Sequence, residues 1–209
     1  MEPSHTHLTK EEKAFKELMS VVRAGEYKKI IQLLEYGVPV NGTNSEGMTP
    51  LMVASHEGLP ETLTILLEAD ADVSAVDHNH DTALHWVVEM LDMAPETECI
   101  RILLDAGADI EAKNQKGETP LAKCLQSAGL HKSQYGDNTD YSPAVLFLMD
   151  QGANLDACNI EGETVRDILM KNSYGFNPDA FSAILARLDH HALTATTLPV
   201  STALSSRRM

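Results

Sequence analysis

The feature that most constrains the fold is a set of three sequence markers that recur along the chain at the same irregular intervals. An aliphatic pair begins at Leu33, Leu66, Leu103 and Leu148. A threonine that precedes apolar residues occurs at Thr49, Thr82, Thr119 and Thr164. Four residues after each first leucine stands Gly37, Asp70, Gly107 or Gly152. All three series advance by 33, then 37, then 45 residues, so the chain is built from tandem structural units.

The threonine marker opens a longer motif. Its best copies are Gly-Met-Thr-Pro-Leu at 47–51, Asp-Thr-Ala-Leu-His at 81–85 and Gly-Glu-Thr-Pro-Leu at 117–121. With the 33-residue period, the motif resembles the Thr-Pro-Leu-His signature of ankyrin repeats over about residues 10–189. The resemblance implies an all-α solenoid with short β-hairpin loops and about five helix-pair repeats. The predicted divisions are a flexible N-terminus at 1–9, repeats at about 10–43, 44–76, 77–113, 114–158 and 159–189, and a disordered tail at 190–209.

Each repeated residue has a physical task in such a unit. The threonine is predicted to cap the first helix by accepting a backbone N–H bond, and proline suits the first helical position, where no donor is lost. The glycines at the ends of the second helices supply left-handed backbone, and Asp70 takes that place in the second repeat. An Asn or Asp three residues before a glycine predicts the turn of each hairpin, where His80 replaces the usual glycine in the third repeat. Thr9 and Glu12 form a capping-box pattern before the first helix.

Two repeats exceed 33 residues because each has an insertion between its first and second helix. One lies near residues 91–96 and the other near 130–141. The resemblance to ankyrin repeats implies that both fall on the side of the stack away from the hairpin tips. They are either tolerated surface loops or an added contact patch, for which Tyr135 and Tyr141 would be the anchors.

The formal net charge of -15 argues against nucleic acid and anionic membranes as partners. It favours a protein with a basic or neutral segment. No apolar stretch approaches the ~20 residues that span a bilayer, and the N-terminus lacks the apolar region of a secretory signal. We therefore expect a chain that is monomeric on its own and lies in the cytoplasm or nucleus, or in the host cytosol if it is a bacterial effector.

The sequence predicts no enzyme, metal or cofactor. It contains no GxSxG, P-loop or HExxH motif. His78 and His80 lie near His85, but no further Cys or carboxylate set completes a zinc site. His85 matches the structural histidine of the ankyrin signature, and Trp86 is expected to pack between repeats. The three cysteines, Cys99, Cys124 and Cys158, are predicted to be reduced thiols buried in the core.

Ankyrin domains bind partners through hairpin tips and the concave face of their first helices. Carried over by matched position, the resemblance gives a partner-binding set of Ser45, Glu46, Met48, His56, Glu57, His78, Asn79, Asp81, Glu89, Met90, Gln115, Lys116 and Glu118. Acidic residues predominate in this set. They form either a solvated charged face or a groove for a basic partner segment. If the face is a groove for a basic segment, binding should weaken when four of the acids are reversed to lysine, namely Glu57, Asp81, Glu89 and Glu118.

The function expected from this surface is that of an adaptor or scaffold that recruits another protein. An inhibitory or regulatory subunit that blocks an enzyme would use the same face, and so would a bacterial effector translocated into a host cell. Loss of the partner's activity on adding the pure chain would identify an inhibitor.

Overall fold

The structure is a computed structural model that describes residues 9–89, 96–135 and 140–196. Within these ranges the helices are α1 (Lys10–Arg23), α2 (Tyr27–Glu35), α3 (Pro50–His56), α4 (Pro60–Glu68), α5 (Ala83–Val87), α6 (Glu96–Asp105), α7 (Pro120–Tyr135), α8 (Ser142–Asp150), α9 (Val165–Lys171) and α10 (Pro178–Thr196), with a short 3-10 turn at Ser173–Gly175. The predictions for residues 1–8, for Met90 and the insertion after it, and for the tail beyond Thr196 lie outside the described residues.

The helices form two layers, and this arrangement confirms the predicted all-α solenoid of five helix pairs. The odd-numbered helices are the first helices of the pairs and pack on one another in chain order, as an inner layer. The even-numbered helices pack on one another in the same order, as an outer layer. Each unit therefore contacts mainly its neighbours, which is the organisation of a repeat protein.

An aliphatic spine runs between the two layers. The leucine markers of the second, third and fourth repeats, Leu66, Leu103 and Leu148, have no exposed surface. In the first repeat the corresponding Leu33 is only partly buried, and Ile30 and Leu18 are fully buried instead. Because aromatics make up only 5% of the chain, the stack depends on burying these aliphatic side chains.

Backbone caps form at the predicted threonines except Thr82, whose hydroxyl lies 2.9 Å from His85 Nδ1 instead. Thr49 Oγ1 accepts from the Met52 N–H at 3.3 Å, and Thr164 Oγ1 accepts from the Asp167 N–H at 3.2 Å. Thr9 and Glu12 form the full capping box at the start of α1. At the start of α10, Asn177 Oδ1 accepts from the Ala180 N–H at 2.8 Å. Each cap satisfies a backbone donor that the first helical turn leaves without a partner.

Left-handed backbone occurs at the positions that end the second helices. Gly107 has φ 91°, and Asp70 holds the same position in the second repeat with φ 61°. Both have the C′ conformation that ends a helix, which glycine adopts without strain and which an L-residue adopts at a cost.

Replacing Asp70 with glycine is therefore expected to raise the free energy of unfolding by roughly 0.5–1 kcal/mol, because the strain disappears. Gly107→Ala tests the same backbone position in the opposite direction. A Cβ there meets nothing within 4 Å, so its loss of stability would come from strain alone. Urea unfolding of both variants measures the two effects. A lower midpoint for Asp70→Gly would contradict this account of the helix end.

The hairpin loops contain the turns that the sequence predicts, and hydrogen bonds from the leading Asn or Asp side chain hold them. In the described ranges the bridge between Cys158 and Thr164 is the only pairing of the β type that is assigned. In every tip the first residue of the turn accepts, through its side chain, from the N–H groups two and four residues on. These side chains belong to Asn44, Asp77, Asn114 and Asn159. An Asx turn needs no regular strand to hold its shape.

The second insertion is not the loop that the sequence predicts at 130–141. It begins by lengthening α7, which continues to Tyr135. Tyr141 is buried, with 1% of its surface exposed, and its hydroxyl donates to the Glu89 carbonyl at 3.3 Å. Tyr141 is therefore part of the core and not an exposed anchor. The side chain of Tyr135 lies outside the described residues.

The C-terminal boundary also differs. The last helix is predicted to end near Asp189, but α10 continues to Thr196. Its outer-layer contact with α8 is reinforced by an ion pair between Arg187 and Asp150, and Arg166 of α9 pairs with Asp189 at 2.6 Å. The predicted tail at 190–209 therefore begins in a helix.

Candidate partner-binding groove

We call the hairpin tips and the inner-layer helices beside them the groove face. Its exposed members among the predicted residues are Ser45, Glu46, His78, Asn79, Gln115 and Lys116, which lie on three successive tips. His56, Glu57 and Glu89 are half-buried at the ends of inner-layer helices. These nine side chains are the part of the predicted set that the structure leaves accessible.

Three predicted residues are buried and are therefore corrections to the sequence-based site. Met48 is 5% exposed, Asp81 is 4% exposed and Glu118 is 3% exposed. They occupy the last position of a tip, where the chain turns back into the stack. Their side chains contact mainly other residues of the protein.

Backbone hydrogen bonds join each tip to the preceding one. The His78 N–H donates to the Glu46 carbonyl at 3.2 Å, and the Gln115 N–H donates to the Asn79 carbonyl at 2.9 Å. The Ile160 N–H donates to the Lys116 carbonyl at 2.9 Å. The exposed side chains of successive tips are therefore held in a fixed row. Such preorganisation lowers the entropy cost of binding a partner.

Behind the tips, a buried polar network joins the third and fourth repeats. Asn114 Nδ2 donates to Asp81 Oδ1 at 3.0 Å and to Glu118 Oε2 at 2.9 Å. The ammonium of Lys123 donates to Asp81 Oδ2 at 2.7 Å and lies 3.1 Å from Glu89 Oε2. Asp81 and Glu118 are thus engaged within the fold, and a reversal of either to lysine would disrupt the stack as well as any binding.

Sequence reasoning missed the two basic residues that neutralise part of this acidic face. Lys123 pairs with Asp81 and Glu89, and Arg23 lies 3.1 Å from Glu57. For Lys123 the sequence contained a signal, which is its position four residues after Thr119. The second repeat has Val53 at the equivalent position, and that valine is buried.

Trp86 packs between repeats, as predicted. Its indole Nε1–H donates to Asp77 Oδ2 at 3.2 Å. The ring makes an edge contact with His56 of the second repeat, with 5.4 Å between centroids. On the side of the fourth repeat, Lys123 Nζ lies 5.2 Å from the ring centroid. The ring remains half-buried, so part of it faces the groove.

His85 is buried and links the third repeat to the fourth. The Thr82 N–H donates to His85 Nδ1 at 3.2 Å, so this nitrogen carries no proton. The proton is on Nε2, which lies 3.0 Å from the Glu118 carbonyl and donates to it. Burial lowers the pKa of His85, against the raising effects of the Glu118 carbonyl and of Asp81. The neutral imidazole is therefore the form that the fold stabilises.

The lowered pKa of His85 predicts a loss of stability in mild acid. At pH 7 the histidine is largely neutral in both states. As the pH falls below about 6.5, most unfolded chains bind a proton that the folded chain excludes. The free energy of unfolding should fall by up to about 1.4 kcal/mol per pH unit until the folded pKa is reached. Urea titrations at several pH values between 7 and 5 measure this slope. His85→Asn should flatten it, and an unchanged slope in that variant would assign the effect elsewhere.

The described residues contain no group of three His, Cys, Asp or Glu side chains placed to hold a metal ion. Among the cysteines, Cys99 and Cys124 are buried as predicted, but Cys158 is exposed, which corrects the expectation that all three are core thiols. Within the same ranges no helix has the length and apolar character needed to cross a bilayer.

Comparison with protein families supports the reading of the repeats. A model for three copies of the ankyrin repeat matches residues 7–77, and a single-repeat model matches residues 79–115. The two matches together cover just over half of the chain. The repeat units formed by α7–α8 and α9–α10 continue the same stack beyond these matches.

Individual relatives resemble the chain over a limited segment. Palmitoyltransferase ZDHHC13 of Homo sapiens is 39% identical over 90 residues, which is 42% of this chain and 14% of the relative. Palmitoyltransferase ZDHHC17 of Danio rerio is 43% identical over 76 residues, which is 35% of this chain and 12% of the relative. The Drosophila melanogaster ankyrin repeat and KH domain-containing protein mask is 33% identical over 99 residues, which is 46% of this chain and 2% of the relative. The chain thus spans at most 14% of the length of these three proteins.

Proposed function

This chain belongs to the ankyrin-repeat family of protein–protein interaction modules, and we propose that it is an adaptor or scaffold that recruits a partner protein across its groove face. The supporting observation is the row of exposed tip side chains held by backbone bonds from one tip to the next. Ser45, His78 and Gln115 stand at equivalent exposed positions on that row. Repetition of one exposed position at a fixed spacing suits an extended partner segment.

Charge supports a partner segment that is basic or neutral. The chain carries a net charge of -15, and Glu46 and Glu161 are exposed on the first and last tips. Attraction of this kind mainly raises the association rate and weakens as salt screens it. The acids to substitute are therefore Glu46 and Glu161, because Asp81 and Glu118 also hold the stack together.

Site-specific photocrosslinking tests the proposal. A benzoylphenylalanine at Ser45, His78 or Gln115 should give a discrete crosslinked protein adduct in cells. Matched control positions are Lys28 and Thr64, which are exposed on the outer-layer helices α2 and α4. Adducts from the controls at the same yield, or none from the three tip positions, would contradict a partner on the groove face.

The relatives' enzymatic names do not extend to this chain, and we propose that it acts by binding without catalysis. An inhibitory or regulatory subunit, or a translocated bacterial effector, would present the same face. The crosslinked partner separates recruitment from inhibition, since an inhibitor lowers the partner's activity in a purified mixture. We propose the cytoplasm as its location, with the nucleus or a host cytosol as alternatives that imaging of the tagged chain would reveal.

A further inference from the structure

A cleft opens on the groove face between the third and fourth repeats. It has a volume of about 260 Å³, less than the roughly 300–1,000 Å³ of small-molecule sites. Its lining includes the half-buried Trp86 and Glu89 and the largely buried Asp81 and Glu118. Its size fits a single side chain rather than a whole ligand. An aromatic face beside carboxylates is a surface that attracts a cation.

An ammonium of the chain itself, that of Lys123, already lies in the lining of this cleft. Lys123 Nζ lies 2.7 Å from Asp81 Oδ2, 3.1 Å from Glu89 Oε2 and 5.2 Å from the centroid of Trp86. Burial pulls the pKa of Lys123 down, but Glu89 and Asp81 outweigh that effect and raise the pKa above its ordinary value. The cleft therefore holds a charged ammonium that contacts two carboxylates and an indole ring.

The placement of this lysine is unusual within the repeat. Four residues after the threonine marker, the second repeat has Val53 and the last has Ile168, each 1% exposed, and the third has the half-buried Trp86. Lys123 holds the same register with 12% of its side chain exposed. Packing thus suits an apolar side chain here, and a charged one carries a desolvation cost. The stem of a lysine is long and flexible, so its ammonium can move to solvent when another cation enters.

We propose that this cleft recognises an arginine side chain of the partner, and that Lys123 is an internal occupant that the arginine displaces. The inference rests on the proposed function and specifies what the groove face recognises. A guanidinium is planar, stacks on an indole and donates to carboxylates in pairs, so it satisfies Trp86, Asp81 and Glu89 together better than an ammonium does. It is also more weakly hydrated, which lowers the cost of entering the cleft.

The fluorescence of Trp86 tests this proposal without a known partner, because Trp86 is the chain's only tryptophan. The probe is the peptide acetyl-Gly-Arg-Gly-amide, and its neutral counterpart has citrulline in place of arginine. Both are titrated at constant ionic strength. The arginine peptide should give a saturable change and the citrulline peptide none. Lys123→Met should tighten binding about fivefold or more, since it removes the competitor, and Glu89→Gln should weaken it about fivefold.

Lys116→Met is the matched control, because it removes the same charge from the same cleft wall without vacating the cation position. Its dissociation constant should stay within about twofold of wild type. If both lysine variants tighten binding equally, the effect comes from net charge alone and the proposal is overturned. A wild-type response that does not saturate would also overturn it. If Lys123→Met fails to fold, Glu89→Gln still decides, since unchanged affinity there overturns the proposal.

The peptide titration and the crosslinking test of the proposed function can fail independently of each other. Loss of crosslinking at the tips would refute a partner on the groove face while leaving the peptide titration unaffected. If the peptide titration fails while crosslinking at the tips persists, the arginine proposal is refuted and the adaptor proposal stands.

Discussion

Replacing Leu103 with alanine should lower the free energy of unfolding by about 2–5 kcal/mol, the largest effect expected of any single substitution considered for this chain. Leu103 is fully buried on α6, where the outer layer meets the spine. The substitution removes apolar contacts and leaves a cavity that the rigid stack fills only in part. Because the outer-layer helices pack in series, the loss should also reach the neighbouring units around α4 and α8.

Urea unfolding followed by circular dichroism measures this loss. Leu193→Ala is the control, because Leu193 is 67% exposed on α10 and its truncation should change stability by less than about 0.5 kcal/mol. Equal effects of the two substitutions would mean that Leu103 does not belong to a shared spine.

His85→Ala is expected to cost about 2–4 kcal/mol. The buried imidazole accepts from the Thr82 N–H and donates to the Glu118 carbonyl, so its removal leaves both groups without that partner. It also cuts a side-chain link between the third and fourth repeats. The loss combines desolvated polar groups with a small cavity, which is why it approaches the cost of a core leucine.

The matched control is His78→Ala, since His78 is exposed on the tip of the same repeat. Its stability should stay within about 0.5 kcal/mol of wild type. Hydrogen exchange of the amides around α7 adds a local measurement, because His85→Ala should raise their exchange rates and His78→Ala should not. A His85 variant as stable as wild type would show that the imidazole bonds do not join the repeats.

Most of the fold could be predicted because its determinants are local and repeated. The threonine caps, the left-handed positions at Gly107 and Asp70, and the turn-forming Asn114 each depend on a few neighbouring residues. Their recurrence in one register then fixes which helices are neighbours. Long-range structure follows from local signals in a repeat protein because each unit packs against the next in sequence.

The insertion in the fourth repeat could not be predicted in this way. The end of α7 packs against the 3-10 turn of the next repeat, where Gly129 faces Asn172 and Gly175 faces the Ala128 carbonyl. Both glycines leave room for this close approach, and neither belongs to the motif that repeats along the chain. The burial of Tyr141 belongs to the same region, and no periodic pattern marks it.

The exposure of the tip residues could be predicted from the sequence, but the burial of two acids beside them could not. Matching tips by register placed His78, Asn79 and Gln115 correctly on the surface. It could not show that Asp81 and Glu118 are buried, because their burial depends on Asn114 and Lys123 from the facing repeat. Side-chain partners across a repeat boundary are a property of the folded stack and not of the motif.

The most direct test of the central claim is hydrogen–deuterium exchange of the chain, free and bound to the purified partner identified by crosslinking. In the free chain the tip amides of His78, Gln115 and Ile160 should already be protected, since each donates to the preceding tip. Binding should add protection along the tips and the inner-layer helices and leave α2, α4 and α8 unchanged. Protection added on the outer layer instead, with no change at the tips, would contradict a binding site on the groove face.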